Sequence, residues 1–119
     1  VKIYTREKFL ELPAGTLYAT GALVVFEGLF VKGETIRNAE GKAIDWSCRD
    51  LTMIASEDTG DMLSRFNDMA ENGASYPLED SYGREGRFDD SDIFLVYEPA
   101  DIREMIAVFQ EAAGDGPRA

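Results

Sequence analysis

The sequence predicts an α+β domain of two layers. A mostly antiparallel sheet of about four strands would carry two main helices and a short N-terminal helix. Three observations carry that expectation. The run Ile93-Phe94-Leu95-Val96-Tyr97 is rich in β-branched and aromatic residues, stops at Glu98-Pro99, and hands over to an amphipathic helix from Ala100 to Gly114. Between Lys42 and Asp50, Ile44, Trp46 and Cys48 alternate with Asp45, Ser47 and Arg49, as in a strand with one buried and one wet face. The acid-rich cluster Ser56-Glu57-Asp58-Thr59 opens a helix to about Glu71, whose apolar stripe is Met62, Leu63, Phe66, Met69 and Ala70.

The remaining elements follow in chain order. Thr5 can cap a short helix over Arg6 to Leu12, which Pro13-Ala14-Gly15 ends. Thr16 to Thr20 reads as a first strand closed by Gly21. Leu23 to Phe26 and Leu29 to Lys32 are both strand-like. Glu27-Gly28 between them is either a two-residue turn or a bulge in one long strand, and Lys32-Gly33 competes as the turn. Asn38 to Gly41 is a turn, and Asn72-Gly73 stops the Ser56 helix. From Ala74 to Asp92 periodicity vanishes, giving a loop longer than the roughly 12–15 residues common in compact domains, and such loops are often functional. Pro99 disfavours helix at Glu98 and suits a first helical position, so the corner there is set locally. Ile102, Met105, Ile106 and Phe109 recur at helical spacing as a core stripe, and the tail from Gly114 to Ala119 should fray.

At 119 residues the chain is expected to form a single domain with one core. Cys48 is the only cysteine, so no internal disulfide can form. No apolar run is long enough for a membrane span, and the first residues do not read as a signal peptide. A cytoplasmic protein is expected. Histidine is absent, which removes the usual general base and the commonest zinc ligand. Cys48 lacks an imidazole partner and reads as core packing. No glycine-rich phosphate cradle or EF-hand spacing is present, so no cofactor and no metal are expected. Paired carboxylates at Asp89, Asp90 and Asp92, or at Glu79 and Asp80, could in principle serve a hydrolase. Solvated loop acids are the ordinary explanation for them.

Charge is the most informative feature. The net charge is −11, and residues 1 to 55 contribute none of it, with seven acidic and seven basic side chains. Residues 56 to 119 hold sixteen acids and five arginines. Such asymmetry implies an acidic face, which disfavours direct nucleic-acid binding and favours a basic protein partner. Its acids are Glu57, Asp58, Asp61, Asp68 and Glu71 on and before one helix, then Glu79, Asp80, Glu85, Asp89, Asp90 and Asp92 in the loop. Tyr76, Tyr82 and Phe88 lie among the loop acids and could act as anchors on a partner.

Three groups of residues carry a resemblance. Tyr4 through Tyr18, Ile44-Asp45-Trp46 with Gly73-Ala74-Ser75-Tyr76-Pro77, and Gly83 to Asp90 are similar to stretches of small, uncharacterised acidic accessory proteins of tailed phages and prophages. The resemblance implies an accessory role in a host cytoplasm, such as inhibition of host defence or nucleic-acid machinery. Acidic anti-CRISPR proteins that imitate the charge of DNA are the analogy. No functional residue is carried over from that group. The leading expectation is therefore a non-enzymatic inhibitor that binds a basic, nucleic-acid-handling complex. The alternative is a structural or homo-oligomeric module whose strand edges pair between copies.

Overall fold

A computed structural model describes residues 1–22 and 24–115, with Ala22 described by its backbone only. Leu23, at the start of one expected strand, and residues 116–119 of the expected frayed tail lie outside the described residues. The elements are β1 (Lys2–Thr5), α1 (Arg6–Leu10), β2 (Leu17–Ala22), β3 (Val25–Arg37), β4 (Ala43–Asp50), α2 (Thr59–Asn72), β5 (Gly83–Arg84), β6 (Ile93–Val96) and α3 (Pro99–Ala113). The fold is α+β. Its single sheet runs in the order β1-β6-β2-β3-β4-β5, with every pairing antiparallel.

Six strands replace the expected four or so. β1 is only four residues long and borrows its order from β6, pairing Lys2 with Val96 and Thr5 with Ile93. A strand so short carries too little alternation to be read in isolation. β5 lies inside the expected loop and exists because Gly83 and Arg84 pair with Cys48 and Ser47. The alternatives around Gly28 and Gly33 resolve into one 13-residue strand with two bulges. Gly28 takes φ +79° where the β2–β3 register slips, a backbone state that L side chains rarely adopt.

The core is an aromatic cluster of Phe9, Tyr18, Trp46 and Phe94, with Leu10 and Val96 beside it. Phe9 lies at its centre, stacked on Phe94 at 4.2 Å between ring centroids and edge-on to Tyr18 at 4.6 Å and Trp46 at 5.1 Å. The indole Nε1–H of Trp46 donates to the Tyr18 hydroxyl at 2.8 Å, so the largest buried side chain leaves no donor unpaired. The short helix α1 therefore supplies the covering layer. Thr5 caps it as expected, with its Oγ1 accepting from the Lys8 N–H.

Two expectations change here. Neither α2 nor α3 contributes a buried residue, although both have amphipathic stripes and glycine caps in the left-handed conformation. Ile106 and Phe109 on α3, and Leu63 and Phe66 on α2, are exposed. The radius of gyration is 16.7 Å, against about 13.5 Å for a compact domain of this length. The stripes are amphipathic, but the aromatic cluster is already closed by Phe9 and Leu10. Asp45, expected on a wet face, is completely buried. The chain at residues 84–86 lies over it, and its carboxylate accepts from the Trp46 N–H, the Gly86 N–H and Arg84 Nε.

Candidate functional site: an acidic lobe

The stretch expected to be one long loop splits into two structures. Residues 74–82 turn back on α2 and the segment after β4. Residues 83–92 instead bind along the sheet.

The first half forms a lobe. Ala55 N–H donates to Pro77 O at 2.8 Å and Glu79 N–H to Met53 O at 2.8 Å, around an antiparallel bridge between Ile54 and Leu78. Arg65 ties α2 to this ribbon: its Nη1 donates to Ala55 O at 2.7 Å, and its guanidinium lies 4.9 Å from the Tyr76 ring centroid. The Tyr76 hydroxyl donates to Asp68 at 2.6 Å, and Asn72 donates to the same carboxylate at 2.8 Å. Those two donors hold the Asp68 pKa below the usual range, Tyr76 foremost, and the carboxylate in turn raises the pKa of the phenol. Asp58 is the N-cap of α2, accepting from the Asp61 N–H at 2.7 Å, and Asp61 bridges to Arg65 at 3.2 Å. Glu79 accepts from the Ser81 hydroxyl at 2.7 Å, which lowers its pKa.

Residues 52–82 thus contain Glu57, Asp58, Asp61, Asp68, Glu71, Glu79 and Asp80 against a single cation, Arg65. Glu57, Asp58, Asp68, Glu71, Glu79 and Asp80 have no ion-pair partner among the described residues. On the same lobe Leu63, Phe66 and Leu78 are 60%, 63% and 54% exposed. Asp61, Met62, Arg65, Asp68 and Met69 are the half-buried side of α2, which leaves the Leu63–Phe66–Ala70 side to solvent. The sequence reading placed Met62, Leu63, Phe66, Met69 and Ala70 on one apolar stripe, of which only Met62 and Met69 are half-buried. The signal it lacked was a partner surface, because the Ala74–Ser81 stretch offers only Tyr76, Pro77 and Leu78 to cover a helix.

The second half behaves differently, and here the expected acidic face divides. Glu85 N–H donates to Trp46 O at 2.9 Å, while its carboxylate accepts from the Cys48 thiol at 3.1 Å and meets Arg87 at 3.3 Å. Burial, with Glu85 beside it, pushes the Cys48 thiol up to about 12. Asp92 pairs with Arg87 at 3.3 Å, and its other oxygen, Oδ2, is buried without a hydrogen-bond partner among the described residues. Asp89 folds its own turn by accepting from the Ser91 N–H and hydroxyl, which lowers its pKa. Asp90 lies 3.7 Å from Arg6. Phe88 is exposed, with the guanidinium carbons of Arg6 and Arg84 at 5.7 and 5.9 Å from its ring centroid. Tyr82 is exposed beside Gly33. Glu85 and Asp92 are therefore spent inside the fold, and the residues brought together as an unneutralised surface belong to the lobe.

Among the described residues no three cysteine or carboxylate groups converge as metal ligands, and no helix is long and apolar enough to cross a membrane. No family model, no curated protein and no solved structure matches this chain.

Proposed function

We propose that this chain is a non-enzymatic binding module that docks its acidic lobe on the basic, nucleic-acid-binding surface of a partner protein and inhibits it by occupancy. The observation that carries the reading is the lobe's composition: an exposed apolar side at Leu63 and Phe66 beside six carboxylates without an ion-pair partner among the described residues. Apolar anchors supply binding energy at the centre of an interface, while charge around them steers encounter and selects the partner. The reading fits the host cytoplasm and the DNA-imitating analogy. It narrows the contact from the whole 57–92 stretch to residues 52–82.

The test is displacement of labelled duplex DNA from a candidate nuclease complex at low and high salt. Displacement should weaken about tenfold or more as salt is raised, because surface charge is screened. It should be lost both in a Leu63→Ser/Phe66→Ser variant and in a Glu57→Lys/Glu71→Lys/Asp80→Lys variant. Displacement that ignores salt and survives both variants would remove the proposal.

A second reading is favoured by a separate observation. β1 is an edge strand with Ile3 61% exposed, and the α3 side chains Ile106 and Phe109 are exposed as well. Two copies could pair β1 edges and cover α3, giving a structural oligomer. Sedimentation over a range of concentrations distinguishes the two, since docking on a foreign partner requires no self-association.

A further inference from the structure

Away from the acidic lobe, α1, the start of β4 and residues 88–90 line an open cavity of about 700 Å³. Its volume falls in the range of small-molecule sites, roughly 300–1,000 Å³. Arg6 lines it, and the side chain of Arg6 is only 8% exposed. Two of the three guanidinium nitrogens are fixed by main-chain carbonyls: Nε donates to Arg87 O at 3.0 Å and Nη2 donates to Ile44 O. The plane is further held between aromatic rings, 5.8 Å from the Trp46 centroid and 5.7 Å from that of Phe88. The third nitrogen, Nη1, has no hydrogen-bond acceptor among the described residues. It has only Asp90 at 3.7 Å, beyond hydrogen-bond reach, and the Asp90 side chain is 93% exposed.

We propose that this cavity binds a small ligand carrying one negative charge on a flat apolar body, with the charge on Arg6 Nη1 and the body against Phe88. The fold has already paid to immobilise and desolvate the guanidinium, so an entering anion gains a charge-assisted hydrogen bond from a preorganised donor. Lys42 at the cavity adds a second cation. Glu7 and Asp90 line it too, and their repulsion disfavours a ligand with two charges. Leu10 and Ile44 give the apolar wall, and the exposed ring of Phe88 gives a stacking surface. Asp90 occupies the position that the ligand's anionic group would take, as a loose, displaceable substitute.

The test uses three probes: benzoate, adenosine 3′,5′-cyclic monophosphate and inorganic phosphate. Each is titrated into the protein while amide NMR shifts are followed. Benzoate, the cyclic nucleotide or both should bind saturably, with shifts concentrated at Arg6, Ile44 and Phe88 to Asp90. Which of them binds tells a carboxylate from a phosphodiester ligand, and inorganic phosphate, without a flat body, should not saturate. Asp90→Asn should tighten binding about tenfold by removing the competing carboxylate, and Phe88→Ala should weaken it by a similar factor. Both side chains are largely exposed, so the variants should keep the wild-type spectrum, and Lys42→Gln provides a third weakening substitution. No saturable shift with either flat anion overturns the proposal. Shifts that map elsewhere, or an Asp90→Asn protein that binds no tighter, overturn it equally.

Discussion

At the scale of single residues, the buried polar groups are mostly held by specific partners, Asp92 Oδ2 being an exception. Asp45 is the clearest, since it accepts from two main-chain N–H groups and from Arg84 and so fastens residues 84–86 to β4. Asp45→Ala should destabilise the protein by about 3 kcal/mol, since donors arranged around a buried charge lose their acceptor. Urea unfolding followed by Trp46 fluorescence measures this, and a loss under about 1 kcal/mol would show that the 84–86 segment contributes little. Cys48 gives a second test. With its thiol pushed up to about 12, the thiolate fraction at neutral pH lies about a thousandfold below that of a free cysteine. Alkylation of native protein should be slower than that of urea-unfolded protein by a comparable factor. The sequence suggested a packed thiol here. It could not have shown the Glu85 acceptor, because Glu85 is 37 residues away.

At the scale of elements, the helices divide by burial, and hydrophobic pattern does not predict the division. α1 has five residues and supplies Phe9 and Leu10 to the aromatic core, whereas the fifteen-residue α3 buries none. Phe9→Ala should therefore cost about 3–5 kcal/mol, the range for removing a fully enclosed aromatic ring. Phe109→Ala on α3 should cost under about 1 kcal/mol in the isolated chain, because its ring is half exposed. Chemical denaturation of both variants side by side is the measurement, and equal losses would refute the assignment of the core to α1. Helix boundaries were readable in the sequence because capping is local: Asp58 and Gly73 delimit α2, and Glu98, Pro99 and Gly114 delimit α3. The side of each helix that packs was not readable. A stripe such as Leu63, Phe66 and Ala70 looks the same whether it meets a core, a partner or water.

At the scale of the whole molecule, charge is divided between fold and surface. Some charges of the sheet half are paired, as in Arg37–Glu11, Arg84–Asp45 and Arg87–Asp92, while six lobe carboxylates have no ion-pair partner among the described residues. Hydrogen bonds to carboxylates on both parts of the molecule set the sign of the acid response. Asp68, Glu79 and Asp89 all have pKa values lowered in the folded state, by Tyr76 and Asn72, by Ser81 and by Ser91 respectively. A carboxylate whose folded pKa lies below its unfolded value stabilises the fold above the unfolded pKa, and that stability is lost as pH falls through the folded one. The unfolded values are near 3.8 for Asp and 4.5 for Glu. The melting temperature should therefore hold on mild acidification and drop once the pH passes below about 4. Thermal melts monitored by circular dichroism across pH 7 to 3 report it, and a melting temperature that rises below pH 4 would contradict the sign. Histidine is absent, so none of the change near neutral pH can come from imidazole.

The amino-acid sequence by itself determined the α+β class, the capped helices, the existence of a strand around Trp46 and the concentration of acid after residue 55. Each of these is written in neighbouring residues, through periodicity, caps and charge counts. Only the tertiary structure decided which strands pair, that Phe9 rather than the α3 stripe fills the core, that Asp45 is buried, and that Glu85 and Asp92 are neutralised while six of the seven lobe acids have no ion-pair partner among the described residues. Those outcomes depend on contacts between residues 4 and 94, 45 and 84, or 6 and 87, and the energy of such a contact appears only when the chain brings its two sides together.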